Sequence, residues 1–525
     1  MTETSPTDQR EWKPKANPWL IAVVVTLGAF MEVLDTTIIN VALPHIAGAL
    51  GSSYDDATWA LTAYLVANGV VLTISGWLSR LFGRKRYFLV CVALFTVSSF
   101  LCGLSTSLPM LIVFRLLQGF FGGGLQPSQQ SIILDTFPPS QRAAAMGLAA
   151  IATVVAPVLG PLAGGYLVDN FSWHWIFYVN VPFGIITFIG VSALVEDPPW
   201  EKKRREKVDV IGISLITIGL GCLEIMCDRG EDEGWFGSGF IVTMGVLGGV
   251  GCIAAVIWLL KAKEPLLNLA IFKDRNFAVS TFLMAMVGAL LYAAAIIVPQ
   301  FAQQVLGYTA TVSGEVLAPG GAVIICLIPL VGRAMGVIQI RTIVAFGFFF
   351  MGASLFYSAR LVPTTSFAHL MEYRILQTAA LAFLFVPLST IAYATLPREL
   401  NADASAMFSM SRNYVGSLAI SLSTAAVTET QQVRQGYLNH WMTPLRPEYQ
   451  EYLAVAQRKS IEHGVSVAAA PEVALHQLQQ TFRTQVSMLA YNQVFMEIGI
   501  IAFLVVPFCF FLAPSASTGN GKGGH

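Results

Sequence analysis

Fourteen stretches of about twenty residues, each nearly free of charge, recur along this chain. They lie near 19–42, 58–79, 87–105, 110–134, 143–168, 175–195, 208–227, 240–260, 277–299, 313–331, 342–359, 374–395, 405–427 and 492–513. About twenty apolar residues in helical conformation span a bilayer's hydrocarbon core. No water reaches the backbone there, so each stretch must satisfy its own peptide groups as a helix. The runs are too long and too continuously apolar for barrel strands. Composition excludes the alternatives. Of 525 residues, 55% are hydrophobic and 12% charged, about half the charge of a soluble domain. A water-soluble fold would expose large apolar patches, and disordered chains lack this much apolar and aromatic content. The expected fold class is an all-α membrane protein of about fourteen helices.

The charge that remains is arranged by loop. Lys+Arg and Asp+Glu number 31 each, and a nucleic-acid binder would show a basic excess, so no nucleic acid is expected as a partner. Arg80, Arg84, Lys85 and Arg86 fall in the second loop. Lys202, Lys203, Arg204, Arg205 and Lys207 fall in the sixth, and Lys261, Lys263, Lys273 and Arg275 in the eighth. The first, third, fifth and ninth loops carry no Lys or Arg, and the seventh carries only Arg229 among acids. By the positive-inside rule both termini are cytoplasmic. Met1–Pro18 is polar and the first apolar run is too long for a signal-peptide core, so no cleavable leader is expected. The seven cysteines lie in apolar runs without metal spacing, so neither a disulfide framework nor a metal site is expected.

An internal repeat divides the chain. Arg115-Leu-Leu-Gln118 opens one helix and Arg374-Ile-Leu-Gln377 another; Leu43-Pro44 and Val298-Pro299 end two more, at an offset of about 255–260 residues. The expected organisation is a cytoplasmic tail 1–18, a six-helix half 19–195, an inserted two-helix segment 196–265, and a second six-helix half 266–513. A long external loop lies at 428–491, with a helical stretch around Pro471 to Gln485, and a cytoplasmic tail at 514–525. Two repeats about an axis along the membrane normal, with substrate held between them, is a secondary-transporter plan.

Ionisable residues inside the membrane are expensive and point to function. Glu32 and Asp35 lie in the first run at i, i+3, on one helix face. Two carboxylates so placed cannot both ionise cheaply, which makes a proton-binding site. Arg115 is the natural counter-ion from another helix, because Arg stays charged and pairs bidentately with carboxylates. Asn40, Gln118 and Gln126, with Gln129 and Gln130, are candidates to line the same path. Glu224 and Asp228 fall in the insertion and read as structural or interfacial. Glu315, Glu372 and Arg374 read as membrane-boundary anchors, and Arg412 as a group that pairs across the half-interface or with lipid phosphate. Ala156-Pro157-Val-Leu-Gly160-Pro161-Leu-Ala-Gly164-Gly165 reads as a kinked helix that packs tightly against the opposite half. Tyr292, Gln300, Phe301, Gln303 and Gln304 are candidates for an apolar pocket with few polar anchors, which suits lipophilic ligands.

These segments resemble the major facilitator superfamily, and within it the fourteen-helix drug/proton antiporters, over about residues 15–515. Asp35-Thr-Thr-Ile-Ile-Asn40-Val-Ala-Leu-Pro44 resembles the first-helix signature of that group. Arg115-Leu-Leu-Gln118-Gly119 is similar to its proton-transfer motif. Gly160-Pro161-Leu-Ala-Gly164-Gly165 is similar to its antiporter motif, whose first glycine is Ala156 here. Gly76-Trp-Leu-Ser-Arg80-Leu-Phe-Gly83-Arg84-Lys85 resembles the cytoplasmic gating loop, with Arg80 in place of the family's acidic residue. That basic residue, the Asp228-Arg229-Gly230 insert and the long last loop are shared with EmrB-type multidrug exporters. The resemblance implies a major facilitator fold and a proton-coupled efflux antiporter of a bacterial inner membrane. It implies lipophilic small molecules as cargo and the proton gradient in place of any cofactor. It also implies two partners, a periplasmic membrane-fusion adaptor of EmrA type and an outer-membrane channel of TolC type, with the last loop as a docking element. An exporter of one endogenous metabolite, or a nutrient symporter, is the alternative. No nucleotide-binding loop, HExxH or nucleophile elbow is present, so an enzyme is not expected.

Overall fold

The computed structural model describes residues 14–197, 208–262 and 265–514. The basic cluster Lys202–Lys207, Lys263 and most of both tails lie outside the described residues. All regular structure among the described residues is helical. The first group comprises α1 (Pro18–Ala49), α2 (Tyr54–Phe82), α3 (Arg84–Gly103), α4 (Leu108–Gly122), α5 (Leu125–Thr136), α6 (Pro139–Asn170), α7 (Trp175–Tyr178) and α8 (Asn180–Leu194). A hairpin follows, α9 (Val210–Arg229) and α10 (Gly239–Lys261). The last group is α11 (Arg275–Gln304), α12 (Ala310–Ala334), α13 (Ile340–Ser358), α14 (Phe367–Ala392), α15 (Asn401–Asn439), α16 (Pro447–Glu462) and α17 (Ala470–Val505).

Among the described residues twelve spans are long and apolar enough to cross a membrane, and bent α6 makes thirteen. The expected span 405–427 is the middle of α15, which is 39 residues long and rich in Ser, Ala and Asn. It packs lengthwise on α11 and gets its environment from neighbouring helices more than from lipid. Local chemistry sets the helix starts. Side chains of Asn17, Ser53, Asp209, Asp274, Thr309 and Ser366 accept first-turn N–H groups, satisfying donors that a helix start leaves bare. Gly123 breaks the fourth span into α4 and α5: a Cβ there would stand 2.4 Å from the Asn68 carbonyl oxygen of α2. Pro157 and Pro161 remove backbone hydrogen bonds from α6, which bends by 40°.

α1–α8 form one bundle, through α1 against α6 and α8, α2 against α4, and α3 against α8. α11–α15 and α17 form a second. The bundles meet along α6–α12 and α2–α15. The α9–α10 hairpin packs over the α2–α15 seam. The region 428–491 is more helical than a loop: α15 runs on to Asn439, α16 follows, and α17 starts at Ala470.

Candidate functional site

Asp35 is completely buried inside the first bundle. Its Oδ2 pairs with Arg115 Nη1 at 2.6 Å. Its Oδ1 accepts from Gln118 Nε2 at 2.8 Å and from Asn180 Nδ2 at 2.7 Å. Arg115 is as fully buried. It donates to Gln118 Oε1 at 2.8 Å and lies over the Tyr64 ring, 4.1 Å from the centroid. A buried ion pair is tolerable only when further hydrogen bonds and close packing offset its desolvation, and here two amides and an aromatic face do so. α1, α2, α4 and α8 all contribute, so the cluster binds the bundle together.

Glu32, one turn earlier on α1, turns to different partners. Asn68 Nδ2 donates to its Oε1 at 3.0 Å, and Gln126 Nε2 donates to its Oε2. The Gln126 carbonyl accepts from Arg412 Nη2, on α15 of the second bundle. Glu32 therefore connects to the opposite half through one amide. Tyr64 separates the two acid clusters: its ring covers Arg115, while its hydroxyl accepts from Thr36 Oγ1 at 3.3 Å.

Between the halves lies a cavity of about 530 Å³. The first bundle contributes Glu32, Asn40, Asn68 and Gln126; α11 contributes Tyr292, Gln300, Gln303 and Gln304; α15 contributes Asn413 and Ser417. Pro157 and Pro161 of α6 complete the wall. Two candidates stand elsewhere. Phe301 is fully buried in edge contact with Tyr491, whose hydroxyl also donates to Gln304 at 2.9 Å. Gln118 is spent on Asp35 and Arg115 and does not reach the cavity. Gln129 and Gln130 are likewise internal, bonded to Thr26 and Tyr393.

The inserted hairpin reaches the site. Glu224 of α9 accepts from Ser417 of α15, and Asp228 accepts from Thr62 of α2 and lines the cavity. One helix thus bonds both halves. Asn68, Asn180, Asn413 and Asp228 were not among the candidates. What singles out these asparagines is the group each one faces, and in the sequence Asp228 reads as structural or interfacial. Arg374, expected at a membrane boundary, is 1% exposed. It repeats Arg115 in the second bundle, with Gln377 at 3.5 Å.

The antiporter-like segment faces two ways. Gly160 and Gly164 admit Thr37 and Ile38 of α1, in the same half. Gly165 approaches Thr311 of α12, and Gly314 of α12 approaches Leu162, across the interface. Ala156 is buried against α1. So the expected packing on the opposite half describes only the end of the segment.

The second loop closes one end of the molecule. Arg80 pairs with Asp403 at the start of α15, and a Cβ on Gly76 would stand 2.7 Å from Asp403 Oδ1. The carboxylate missing at position 80 is supplied from the opposite half, with the signs exchanged. Arg84 pairs with Asp135, which also accepts from Asn401 at 2.9 Å. Gly83 makes the turn at φ 88°, and Lys85 donates its N–H to Asp197 at 2.9 Å. The central cavity opens at the other end, where Pro44, His45, Gln303 and Gln304 are exposed.

The chain matches the family model described as Major Facilitator Superfamily over residues 25–420. It is 34% identical to the multidrug export protein EmrB of Escherichia coli K12, covering 96% of this chain and 98% of that one. It is 32% identical to the fatty acid resistance protein FarB of Neisseria gonorrhoeae, covering 98% and 100%. Among solved structures, the proton:xylose symporter XylE superposes with a TM-score of 0.57 at 14% identity, over 95% of this chain and 96% of that one. Two facing helical bundles, a cavity between them and these similarities lead to one assignment: the chain is a multi-pass membrane protein that belongs to the major facilitator superfamily.

Proposed function

We propose that the chain is a proton-coupled exporter of amphipathic or lipophilic toxic compounds in a bacterial inner membrane. The observation that carries this reading is the pair of buried carboxylates on α1. Asp35 is neutralised inside one half by Arg115, while Glu32 faces the cavity and is tied to the other half through Gln126. An embedded acid on a water-accessible path is the usual means of moving protons through a transporter. The relatives named for multidrug export and fatty acid resistance support export of lipophilic cargo.

With the basic loops cytoplasmic, the cavity opens outward. External protons reach Glu32 first, then Asp35 past Thr36 and Tyr64, and weaken the hold on cargo. Closure of the outer end and opening of the Arg80–Asp403 end exposes the acids to the cytoplasm, where the protons leave and cargo enters. Each charge moved through 100 mV is worth about 2.3 kcal/mol, so one or two protons drive a useful gradient. The extension formed by the end of α15, α16 and the start of α17 is the proposed docking element for a periplasmic adaptor, which continues to an outer-membrane channel.

The test is reconstitution in proteoliposomes with an imposed pH gradient and a fluorescent lipophilic cation. Gradient-dependent transport is expected in the wild type and its absence in Asp35→Asn. Equal gradient-driven transport by both overturns the coupling assignment. A deletion strain that becomes sensitive to unrelated scaffolds supports broad export; sensitivity to a single metabolite favours the narrower exporter.

A further inference from the structure

A second cavity lies away from the one between the halves. A groove of about 710 Å³ lies on the outer face of the first bundle, where α2, α3 and α4 diverge. Its walls are apolar, and Arg86 is the one charged residue that lines it. Phe82, Val90 and Phe120 are each roughly half exposed, so the groove faces lipid and not the protein core. It follows α2 from Phe82 to Val71, about 16 Å at the rise of an α-helix. That is close to one leaflet of a core about 30 Å thick. Arg86, in the first turn of α3 at the basic-loop end, stands at the membrane-surface end of this track. It is exposed, and no acid pairs with it among the described residues. Asp197 bonds the neighbouring Lys85 N–H.

Beyond Val71 the groove is closed. α2 and α4 touch backbone to backbone: a Cβ on Gly119 would stand 2.2 Å from the Tyr64 carbonyl oxygen, and one on Gly123 would stand 2.4 Å from that of Asn68. The groove shares no lining residue with the cavity between the halves, so its occupant is distinct from cargo held there.

We propose that this groove is a resident site for one anionic phospholipid, with an acyl chain along α2 and the phosphate at Arg86. One-leaflet depth, a single cation at the surface end and a closed far end match that molecule in length and charge. The lipid wedges α2, α3 and α4. The site is independent of what the protein exports.

Native mass spectrometry of the full chain, delipidated in detergent and titrated with dioleoyl phosphatidylglycerol or dioleoyl phosphatidylcholine, tests this. Thermal unfolding with each lipid, and with inorganic phosphate alone, runs in parallel. Expected is one tightly retained phosphatidylglycerol, preferred about fivefold over phosphatidylcholine, the worth of one surface arginine against an anionic headgroup. Arg86→Gln removes the preference and keeps chain binding. Val90→Trp and, separately, Leu81→Trp fill the groove and lose the retained lipid. Val246→Trp, at a residue of α10 that is 59% exposed, is the control and keeps it. Equal retention in wild type, Val90→Trp and Leu81→Trp overturns the site. So does a wild type without headgroup preference, or a stability shift with phosphate alone that matches the lipid's.

Discussion

At the scale of single residues, the two acids of α1 have separable roles because their partners differ. Asp35→Asn leaves Arg115 buried without its counter-charge, and breaking a buried pair costs about 3–5 kcal/mol. Its unfolding midpoint in detergent is expected to fall sharply, together with loss of gradient-driven transport. Glu32→Gln keeps groups that Asn68 and Gln126 can bond, so its stability stays within about 1 kcal/mol of wild type while coupling is lost. The comparison of melting curves between these variants checks the division. Asp228, the cavity carboxylate supplied by the insertion, is expected to favour cationic cargo. Asp228→Asn then lowers export of a cationic dye by about tenfold, as loss of one partly desolvated charge contact of about 1.5 kcal/mol implies, and leaves a neutral analogue unchanged. Asp35 and Arg115 were legible in the sequence, since a charge in an apolar run announces itself; Gln118, expected to line the path, is held by that ion pair instead. Asn68 and Asn180 were not legible, because what singles them out is only the carboxylate that each one faces.

At the scale of elements, glycine contacts decide how closely helices approach. A Cβ at position 119 meets the Tyr64 carbonyl of α2, whereas one at 160 meets the Thr37 hydroxyl of α1 at 2.1 Å. A side chain can turn aside; a backbone carbonyl inside a helix cannot. Gly119→Ala is therefore expected to destabilise by about 3 kcal/mol, at the upper end of overpacking costs, and Gly160→Ala by about 1 kcal/mol. Thermal unfolding of the two purified variants gives the order. Hydropathy revealed most spans because lipid is their solvent. It said little about α15, whose surroundings are other helices. Nor did it place α9: apolarity marks a helix as embedded without saying which seam it covers. The fit of Ser417 to Glu224 and of Thr62 to Asp228 supplies that information, and it exists only in three dimensions.

At the scale of the whole molecule, the halves are held closed at one end by charge and kept apart at the other by the cavity. Arg80 and Asp403 sit about 320 residues apart in the chain and meet across the interface. A double-mutant cycle with Arg80→Gln, Asp403→Asn and the pair should show coupling of about 0.5–3 kcal/mol. The readout is the distance between spin labels on the ends of α2 and α12: either single variant opens that end, and the double variant opens it no further. The exchange of signs was half legible, since Arg80 stood in the sequence as a departure, but its partner lies in a different repeat with no motif around it.

The Gln126 amide has a consequence beyond holding two neighbours. Its nitrogen serves Glu32 and its oxygen serves Arg412. A carboxylate only accepts, but a protonated acid also donates, and its hydroxyl then needs a carbonyl. Asn68 or Gln126 must swivel to offer one, and the Gln126 oxygen is already claimed by the opposite half. When Gln126 is the one that turns, a single proton competes with an arginine for one atom, and winning that contest loosens a tie between the halves. The amide works as a toggle that converts chemical occupancy into mechanical slack.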